Sequence, residues 1–319
     1  MTHITNEMGI DLPLAVWLVT DDYDYVEKEN YISATTLIKP IKQIILSSRV
    51  KSNTRTIDIS SLINARMGVA IHDSVEKAWK NNYRKALKLL GYSEEDIEKV
   101  KINPFEPKEE DFNIYLEQRS FKTVSGFTIG GKFDTVLNGQ LFDTKSTSVY
   151  SYIFGSKDND YILQGSIYRW LNPEIITGNT IKISFVFTDW QKSEAKKNSS
   201  YPQSRLITYE LDLMSLLETD NYIKNKLQIL NNLWNKPEEE IPPCNDKELW
   251  RSDPVYKYYS DPSKTDGRST RNFSTFKEAH EFKASKGKGV VITVPGEVKA
   301  CLYCRSFEIC KQKDNYNVG

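Results

Sequence analysis

The strongest constraint on the fold is the segment GGKFDTVLNGQLFDTKST at residues 130–147, in which Asn138-Gly139 separates two stretches that favour β-strands. An Asn-Gly pair is preferred in two-residue hairpin turns because both residues tolerate positive φ. The sequence therefore predicts strands at 127–138 and 139–147. A third strand is expected at 114–124, where β-branched and aromatic residues recur, which makes the region a β-meander.

Three charged side chains on this hairpin suggest chemistry. Asp134 lies in one strand, and Asp143 and Lys145 lie in the next. Neighbouring strands are about 5 Å apart, so the carboxylates can converge, and such a pair favours a bound divalent cation. Mg²⁺ and Mn²⁺ both prefer oxygen ligands. Lys145 leaves the same face as Asp143 and can reach a metal-bound water or a scissile phosphate. The pattern indicates phosphodiester hydrolysis. The alternative is a solvated strand face, because 27% of the residues are charged.

A long helix is predicted before the meander. From Ser60 to about Leu90 the apolar residues recur at helical spacing, and Gly91 follows as a stop signal. His72 and Glu76 are four residues apart and share one helical face. His72 is therefore a candidate metal ligand, although a histidine at the edge of a helix is also a common structural residue.

A second helix is predicted at 159–171, after the meander. Gln164 and Tyr168 lie four residues apart on it, either as part of the site or as a hydrogen-bonded pair at the margin of the core. The nearly all-apolar segment 179–190 follows and is typical of a strand buried within a sheet. The resulting order is helix, three strands, helix, strand.

The ordered set of motifs resembles the RecB-like branch of the PD-(D/E)XK nucleases. The set comprises a His-bearing helix (GVAIHDSVEKA), a G-x-x-D strand (GGKFD), a D-x-K strand (DTK) and a Q-x-x-x-Y helix (QGSIY). The likeness spans about residues 31–190, and IKPIKQIILSSRV resembles the helix that opens the phage members. It implies an α/β, restriction-endonuclease-like core with a central mixed sheet flanked by helices.

The resemblance also implies residue roles. His72, Asp134 and Asp143 would bind the metal, aided by the main-chain carbonyl of Thr144, and Lys145 would be the catalytic lysine. Gln164 and Tyr168 would support the site and touch the DNA backbone, and Glu117 would be a further acid of the site. Asp143 stands where many relatives carry glutamate, which the motif permits.

The four cysteines indicate a second metal centre. Cys301, Cys304 and Cys310 form a C-x2-C-x5-C run, and Cys244 precedes them. Four thiolates complete the ligand set of a 4Fe-4S cluster or of a tetrahedral zinc ion, and spacing alone does not separate the two. Disulfides are not expected in an intracellular chain of this size. The resemblance favours iron-sulfur, since RecB-like nucleases often use this triplet plus a distant cysteine. In several relatives the distant cysteine precedes the nuclease core, whereas Cys244 follows it.

Three regions are expected. Residues 1–58 form an N-terminal segment leading into the core, 59–236 form the nuclease core, and 237–319 form a small C-terminal annex clasped by the cysteines. The polar segment 191–205 is expected to be a mobile hairpin tip. Residues 244–319 are expected to alternate loops with one helix that starts near Ser274, and the mixture of tyrosines, lysines and arginines at 256–280 suits contact with DNA.

Charge and hydropathy limit the functions that the chain can have. Lys and Arg number 43, as do Asp and Glu, so any DNA-binding surface must be local. The sequence has no run of eighteen apolar residues and no secretory signal, so a cytoplasmic protein is expected (in the host cytoplasm if viral), with no membrane partner.

The reading that combines these features is an Mg²⁺- or Mn²⁺-dependent exonuclease acting on linear DNA in phage-type recombination, replication or DNA degradation. A single-strand annealing or other recombination protein would be its partner. The alternatives are an endonuclease, a CRISPR-adaptation-like end trimmer, a DNA-binding scaffold that does not cut, and a zinc-dependent structural protein.

Overall fold

The computed structural model describes residues 3–50, 56–316 and 318. The described residues belong to two compact units. The first draws on Met1–Ile38 and Ser52–Ile229, and the second on Lys39–Lys51 and Leu230–Gly319. Residues 39–50, which the sequence analysis placed in the N-terminal segment, thus belong to the second unit. No helix among the described residues has both the length and the apolar character needed to cross a membrane.

The elements follow in chain order. In the first half of the chain they are β1 (His3–Thr5), α1 (Leu12–Val19), β2 (Tyr31–Ser33), α2 (Ala34–Leu37), α3 (Ile41–Arg49), β3 (Thr56–Asp58), α4 (Ile63–Leu89), α5 (Glu94–Lys99), β4 (Val100–Ile102), β5 (Phe112–Val124), β6 (Phe127–Leu137), β7 (Gln140–Thr147) and α6 (Val149–Ile153). The second half contains α7 (Asp158–Leu171), β8 (Thr180–Phe187), α8 (Lys192–Lys197), β9 (Leu206–Asp212), α9 (Leu216–Leu233), β10 (Val255–Tyr259), β11 (Arg271–Phe273), α10 (Phe276–Lys286) and β12 (Val290–Val294).

A seven-stranded mixed sheet organises the first unit. Its order is β4-β5-β6-β7-β8-β9, and β2 also pairs with β6. The β5-β6-β7 meander is antiparallel, whereas β7 and β8 run parallel with α6 and α7 between them. The mixed α/β architecture with a central sheet and flanking helices is therefore confirmed.

The predicted hairpin forms between β6 and β7. Asn138 and Gly139 have φ values of 45° and 86°, as the turn requires. Leu137 pairs with Gln140, and the ladder continues to the pair Thr135 and Phe142. The next residues along the two strands are Asp134 and Asp143, so the register brings the two predicted acids to the point where the ladder ends.

One edge of β6 is split between two partner strands. Strand β2 pairs with residues 128–130, and β7 pairs with residues 135–137. Among the described residues, 131–134 have no partner strand on this edge. The gap lies beside Asp134 and gives its side chain room that a continuous ladder would fill.

Helices cover both faces of the sheet. A Cβ at Gly131 would lie 2.8 Å from the Tyr168 ring, so this position faces α7 and only glycine fits. Asp134 is three residues further along β6, so its side chain leaves the other face of the sheet, where it contacts His72 of α4. The helices α4 and α7 therefore lie on opposite faces. The helix α4 packs its aromatic and aliphatic residues against a small core cluster: Trp79, Tyr83 and Leu87 on the helix, and Val100, Ile114 and Leu116 beneath it.

The prediction of a mobile tip at 191–205 was wrong. The segment contains α8, and both Ala195 and Tyr201 are 9% exposed. The indole Nε1 of Trp190 donates to the carbonyl of Pro202 at 2.8 Å. These contacts anchor the connection between β8 and β9. The free energy gained by burying Ala195 and the Tyr201 ring outweighs the tendency of a polar segment to stay in solvent.

The second unit contains a sheet that the sequence analysis did not predict. Strand β10 pairs antiparallel with both β11 and β12, and α10 packs on them. The rings of Tyr258 and Phe282 meet edge to face at a centroid distance of 5.1 Å. The predicted helix is confirmed as α10, but the description of the remainder as loops was wrong for these strands, which are only three to five residues long.

Candidate metal centre

The carboxylate of Asp134 lies at the centre of the predicted site. Its Oδ2 accepts a hydrogen bond from the Thr144 amide at 2.9 Å and lies 3.2 Å from His72 Nδ1. The amide of Thr144 thus joins β7 to Asp134 where the strand ladder has ended. Thr144 contacts Asp134 through this amide, and a role for its carbonyl as a metal ligand stays a prediction.

Glu117 completes a group that could hold a metal ion. One ligand atom each from His72, Glu117 and Asp134 lies within 4.8 Å of the other two. A cavity of about 10 Å³ lies among these side chains, which is about the space of one small ion or water molecule. The sequence resemblance had assigned Glu117 only as a further acid, and the structure brings it next to His72 and Asp134.

The position of Glu117 in β5 is locally strained. Its φ is 52°, which is uncommon for a residue with a side chain, and the regular pairing of β5 with β6 is interrupted at this residue. Such strain, of about 1–3 kcal/mol, is found where a side chain must be aimed at a functional site. Here the unusual backbone directs a carboxylate towards Asp134.

Asp143 is a buried carboxylate that pairs with Lys145. The side chain is 1% exposed, and Lys145 Nζ lies 2.7 Å from its Oδ2. Apart from this ion pair, neither carboxylate oxygen has a hydrogen-bond partner among the described residues. A buried carboxylate with spare lone pairs is costly unless a cation compensates it. Asp143 therefore fits a metal ligand, although it lies outside the closely spaced group around Asp134.

The electrostatics of the centre reflect its density of acids. Burial and the neighbouring Asp143 raise the pKa of Asp134 to about 7, against the opposing effect of His72. Burial lowers the pKa of Lys145, but Asp143 and Asp134 raise it by more, so the ammonium is held in its charged form. A divalent cation would relieve the repulsion between the carboxylates.

The donor set suits a hard or borderline divalent cation. Carboxylates with one imidazole are the ligands that Mn²⁺ accepts readily, and carboxylates alone suit Mg²⁺. The buried, unsatisfied oxygens of Asp143 and the small cavity beside Asp134 both agree with such an ion. The residues present therefore fit a divalent metal centre.

Gln164 and Tyr168 form a hydrogen-bonded pair on α7. Gln164 Nε2 donates to the Tyr168 hydroxyl at 2.8 Å, and Tyr168 is only 4% exposed. The ring packs on Gly131, and burial together with Asp143 raises the pKa of its hydroxyl. Tyr168 thus lies against the part of β6, residues 131–134, that has no partner strand on one edge. Contact of Gln164 and Tyr168 with the DNA backbone stays a prediction.

Two cations that were not predicted from the sequence lie beside this centre. Lys132 Nζ lies 2.8 Å from Glu117 Oε2, and Arg119 is the cross-strand neighbour of Lys132. Lys132 stands two residues before Asp134 in GGKFD, so strand alternation would have placed it on the same face. Arg119 needed the pairing register of β5 and β6, which the sequence does not state.

The four cysteines all lie half-buried in the second unit and form no disulfide. Gln312 binds the main chain of Cys244 twice: its Nε2 donates to the carbonyl at 2.8 Å, and its Oε1 accepts from the amide at 2.9 Å. The Cys304 sulfur lies 3.1 Å from the Ser306 hydroxyl. Gln312 thus holds the distant cysteine to the C-terminal segment.

The thiols influence one another electrostatically. Burial raises the pKa of Cys244 to about 12, with further contributions from Cys310 and Cys304. Burial also raises the pKa values of Cys301 and Cys310. Within the part of the chain that the structure describes, no three of these sulfurs come within 4.8 Å of one another.

A scan against models of known protein families finds no match, and a search of curated protein sequences finds none either. Among solved structures, the chain is similar to the crystal structure of SSO0001, with a TM-score of 0.40 and 16% identity over 65% of this chain and 80% of that chain. It is also similar to a phage-related exonuclease from Haemophilus somnus 129PT, with a TM-score of 0.24 and 20% identity over 35% of this chain and 55% of that chain. Both likenesses are partial.

Proposed function

We propose that this chain is a divalent-metal-dependent nuclease that hydrolyses phosphodiester bonds in DNA. The observation that carries the proposal is the buried Asp143 carboxylate, which is paired with Lys145 beside the group formed by His72, Glu117 and Asp134. A structural ion pair would not need three further metal-ligand side chains at the end of the same strand ladder. Perturbed acids gathered in this way are typical of catalytic centres.

In the mechanism, His72, Glu117, Asp134 and Asp143 would hold the cation. When bound, a metal ion of this kind polarises the phosphoryl oxygen and lowers the pKa of a coordinated water. Lys145 is held in its charged form next to Asp143, so it can orient the attacking water or stabilise the charge that develops on the phosphate. Tyr168 and Gln164 keep the sheet beneath these groups in place.

Replacing the lysine tests the proposal. We expect Lys145→Ala to lower the rate of DNA cleavage by at least about a hundredfold, since removing one charge-stabilising group costs about 2.7–4 kcal/mol. DNA binding should persist, because phosphate contacts elsewhere are unaffected. Rates are measured on labelled linear DNA with Mg²⁺ or Mn²⁺, and Lys182→Ala in β8 serves as the control. Wild-type cleavage by Lys145→Ala would contradict the proposal.

We further propose that the enzyme is an exonuclease of a phage-like recombination, replication or DNA-degradation system. This part is supported by the motif order that resembles RecB-like nucleases. Linear DNA labelled at either end gives the direction of digestion, and covalently closed circular DNA should survive the same incubation. Digestion of closed circles would instead identify an endonuclease. A recombination protein as partner rests on the same resemblance.

The cysteines are proposed to bind a 4Fe-4S cluster, with zinc as the alternative. Zinc binds sulfur at about 2.3 Å in a tetrahedron, which brings the four sulfurs close together. In a cubane cluster each cysteine binds a different iron, so the sulfurs stand further apart than around a single zinc ion. The proposal of iron-sulfur is supported by the C-x2-C-x5-C triplet, which resembles that of RecB-like nucleases. Iron analysis and absorbance near 400 nm in protein purified without oxygen distinguish the two metals.

Contact between the second unit and DNA is proposed for the segment 256–280. Arg271 and Lys257 lie on neighbouring strands of its sheet, and the exposed ring of Phe276 stacks near His280 at a centroid distance of 4.0 Å. Cations interleaved with exposed rings suit a nucleic-acid strand.

A further inference from the structure

Arg119 and Lys132 place two cations at the edge of the metal centre. They are cross-strand neighbours on β5 and β6, and their side chains are 14% and 27% exposed. Lys132 contacts Glu117, one of the three residues that could hold the metal. A phosphate bound by these cations would therefore lie beside the metal-binding group.

Arg119 has unused capacity for a ligand. Its Nε is buried and has no hydrogen-bond partner among the described residues, while its Nη2 lies 2.7 Å from Asp24 Oδ1. A guanidinium offers donors in a planar fork that matches phosphate oxygens. The Tyr31 hydroxyl is a further partner of the guanidinium, so Nε is the donor of that fork that remains unsatisfied.

An acidic segment covers these cations. The acidic loop, residues 20–30 with the sequence TDDYDYVEKEN, connects α1 to β2 and contains five acids and one lysine. Besides the ion pair of Asp24, the ring of Tyr23 lies 5.6 Å from the guanidinium of Arg119 and 5.7 Å from the ammonium of Lys132. A carboxylate and an aromatic face thus occupy the space next to the two cations.

A second ion pair anchors the same loop to α4. Asp21 Oδ1 lies 3.5 Å from Arg66 Nη1, and the other Asp21 oxygen accepts a hydrogen bond from Tyr25 at 2.9 Å. The hydrogen bond from Tyr25 lowers the pKa of Asp21, so the carboxylate is charged at neutral pH. Both anchors are charge pairs at the surface, each worth about 0–1 kcal/mol, so neither ion pair alone holds the loop strongly.

The acidic loop changes the net charge of a cavity that it helps to line. The cavity has a volume of about 590 Å³, and five acidic and three basic side chains line it. Three of those acids, Asp21, Asp22 and Asp24, belong to the acidic loop, whereas the three cations do not. With the loop in place the lining is net negative and repels a phosphodiester, and without the loop it becomes net positive.

We propose that Arg119 and Lys132 form a phosphate-binding subsite for the DNA strand, and that the acidic loop covers this subsite until DNA displaces it. The inference rests on the proposed nuclease function and names the part of the site that receives the backbone next to the metal. It makes Asp24 a competitor of the substrate for Arg119.

Matched charge changes on the loop test this subsite. All variants are made in the Lys145→Ala background, and DNA affinity is measured by fluorescence anisotropy in Ca²⁺ with circular dichroism as a check of folding. We expect Asp24→Asn to bind about two- to fivefold more tightly, as loss of an exposed ion pair predicts. Arg119→Gln should bind more weakly. Glu27→Gln removes an equal charge from an exposed residue of the same loop and should change affinity less than Asp24→Asn.

Equal effects of Asp24→Asn and Glu27→Gln would overturn the inference, because net charge alone would then explain the change. Weaker binding by Asp24→Asn would overturn it as well. Hydrogen exchange supplies a second readout: amides in residues 20–30 should exchange faster when DNA is added, and slower exchange would mean that the loop closes on DNA. If the protein with Lys145 intact neither binds nor cuts DNA, the proposed function fails and the subsite with it. Cleavage without the Asp24 effect refutes the subsite alone.

Discussion

Asp134 has surroundings that suit a metal ligand better than a free acid. Its pKa is raised to about 7 by burial and by Asp143, and a raised pKa means that the stability this group contributes is present at low pH and lost as the pH rises through 7. At pH 8 the metal-free protein therefore carries an unfavourable charge. A bound cation removes this cost.

We therefore expect Mn²⁺ to stabilise the wild type at pH 8 and not Asp134→Asn. At a hundredfold excess of metal over Kd the gain is about 2.7 kcal/mol, which calorimetry detects as a rise in Tm. Without metal, Asp134→Asn should be at least as stable as the wild type. Asp73→Asn, an exposed acid next to His72 in the chain, is the control and should keep the response to Mn²⁺. An equal response of Asp134→Asn would show that the ion binds elsewhere.

Asp58, which is not part of the candidate metal centre, provides a separate pH dependence. Its carboxylate accepts hydrogen bonds from the Glu7 amide at 2.8 Å, from Ser60 and from Thr5, and those from Glu7 and Ser60 do most to lower its pKa far below the usual range. A lowered pKa gives stability that is present above about pH 3.9 and lost as the pH falls towards the folded-state value.

Urea unfolding of the wild type and Asp58→Asn at a series of pH values measures this effect. The wild type should have the larger free energy of unfolding at pH 7, and the difference should shrink below about pH 4. A difference that stays constant down to pH 3 would mean that the hydrogen bonds of Asp58 do not depend on its charge.

Among the elements, the β6–β7 hairpin sets the positions of both acids. Gly139 has a φ of 86°, and a Cβ there would meet the Thr177 side chain, whereas Gly126 has a φ of 82° with no atom within 4 Å. Both positions disfavour alanine through their backbone, but only Gly139 adds a clash.

We expect Gly139→Ala to lower the free energy of unfolding by about 1–3 kcal/mol more than the control Gly126→Ala. Cleavage should also fall in Gly139→Ala, because a shift of the turn moves Asp143 relative to Asp134. Denaturant unfolding and cleavage rates measure the two effects. Equal losses of unfolding free energy in the two variants would show that the Thr177 side chain moves aside without destabilising the protein.

The elements that the sequence predicted well are those with strong local signals. Asn138-Gly139, the helical spacing before Gly91 and the apolar strand β8 each depend on neighbours in the chain. Strands β10, β11 and β12 are short and gain their stability from partners distant in sequence, so periodicity did not predict them. The fold of 191–205 was missed because burial of Tyr201 is a tertiary effect.

For the candidate site, too, the sequence predicted the residues that belong to recognisable patterns and missed those that depend on tertiary structure. His72 and Asp134 were named from motifs and Glu117 from the family resemblance, and the structure brings their ligand atoms within 4.8 Å of one another. The sequence did not predict the positive φ of Glu117 or the gap in the pairing of β6. It also missed Arg119 and the acidic loop, since a cross-strand register and a loop contact are not encoded in local spacing.

At the scale of the whole molecule, the chain consists of two units with separate candidate centres. The carboxylates belong to the first unit and all four cysteines to the second. A cluster bound by all four cysteines would link Cys244 to 301–310 and close a long loop, and metal binding of this kind contributes directly to folding. Such a cluster would therefore stabilise the second unit.

Cys304→Ala tests this division. We expect faster hydrogen exchange in residues 230–316 and unchanged exchange in β6, β7 and β8, because the variant leaves the sheet of the first unit intact. Ser263→Ala, an exposed change in the same unit, is the control. Unchanged exchange around the remaining cysteines would show that the second unit folds without a metal.

The most direct test of the metal centre is anomalous scattering from crystals of the protein soaked in Mn²⁺. A peak is expected among His72, Glu117 and Asp134, at coordination distance from their ligand atoms, with Asp143 turned towards it. The same soak of Asp134→Asn should give no peak there. If the wild-type crystals bind manganese only at other positions, the carboxylates at the end of the β6–β7 ladder are not a metal centre and the nuclease mechanism is wrong.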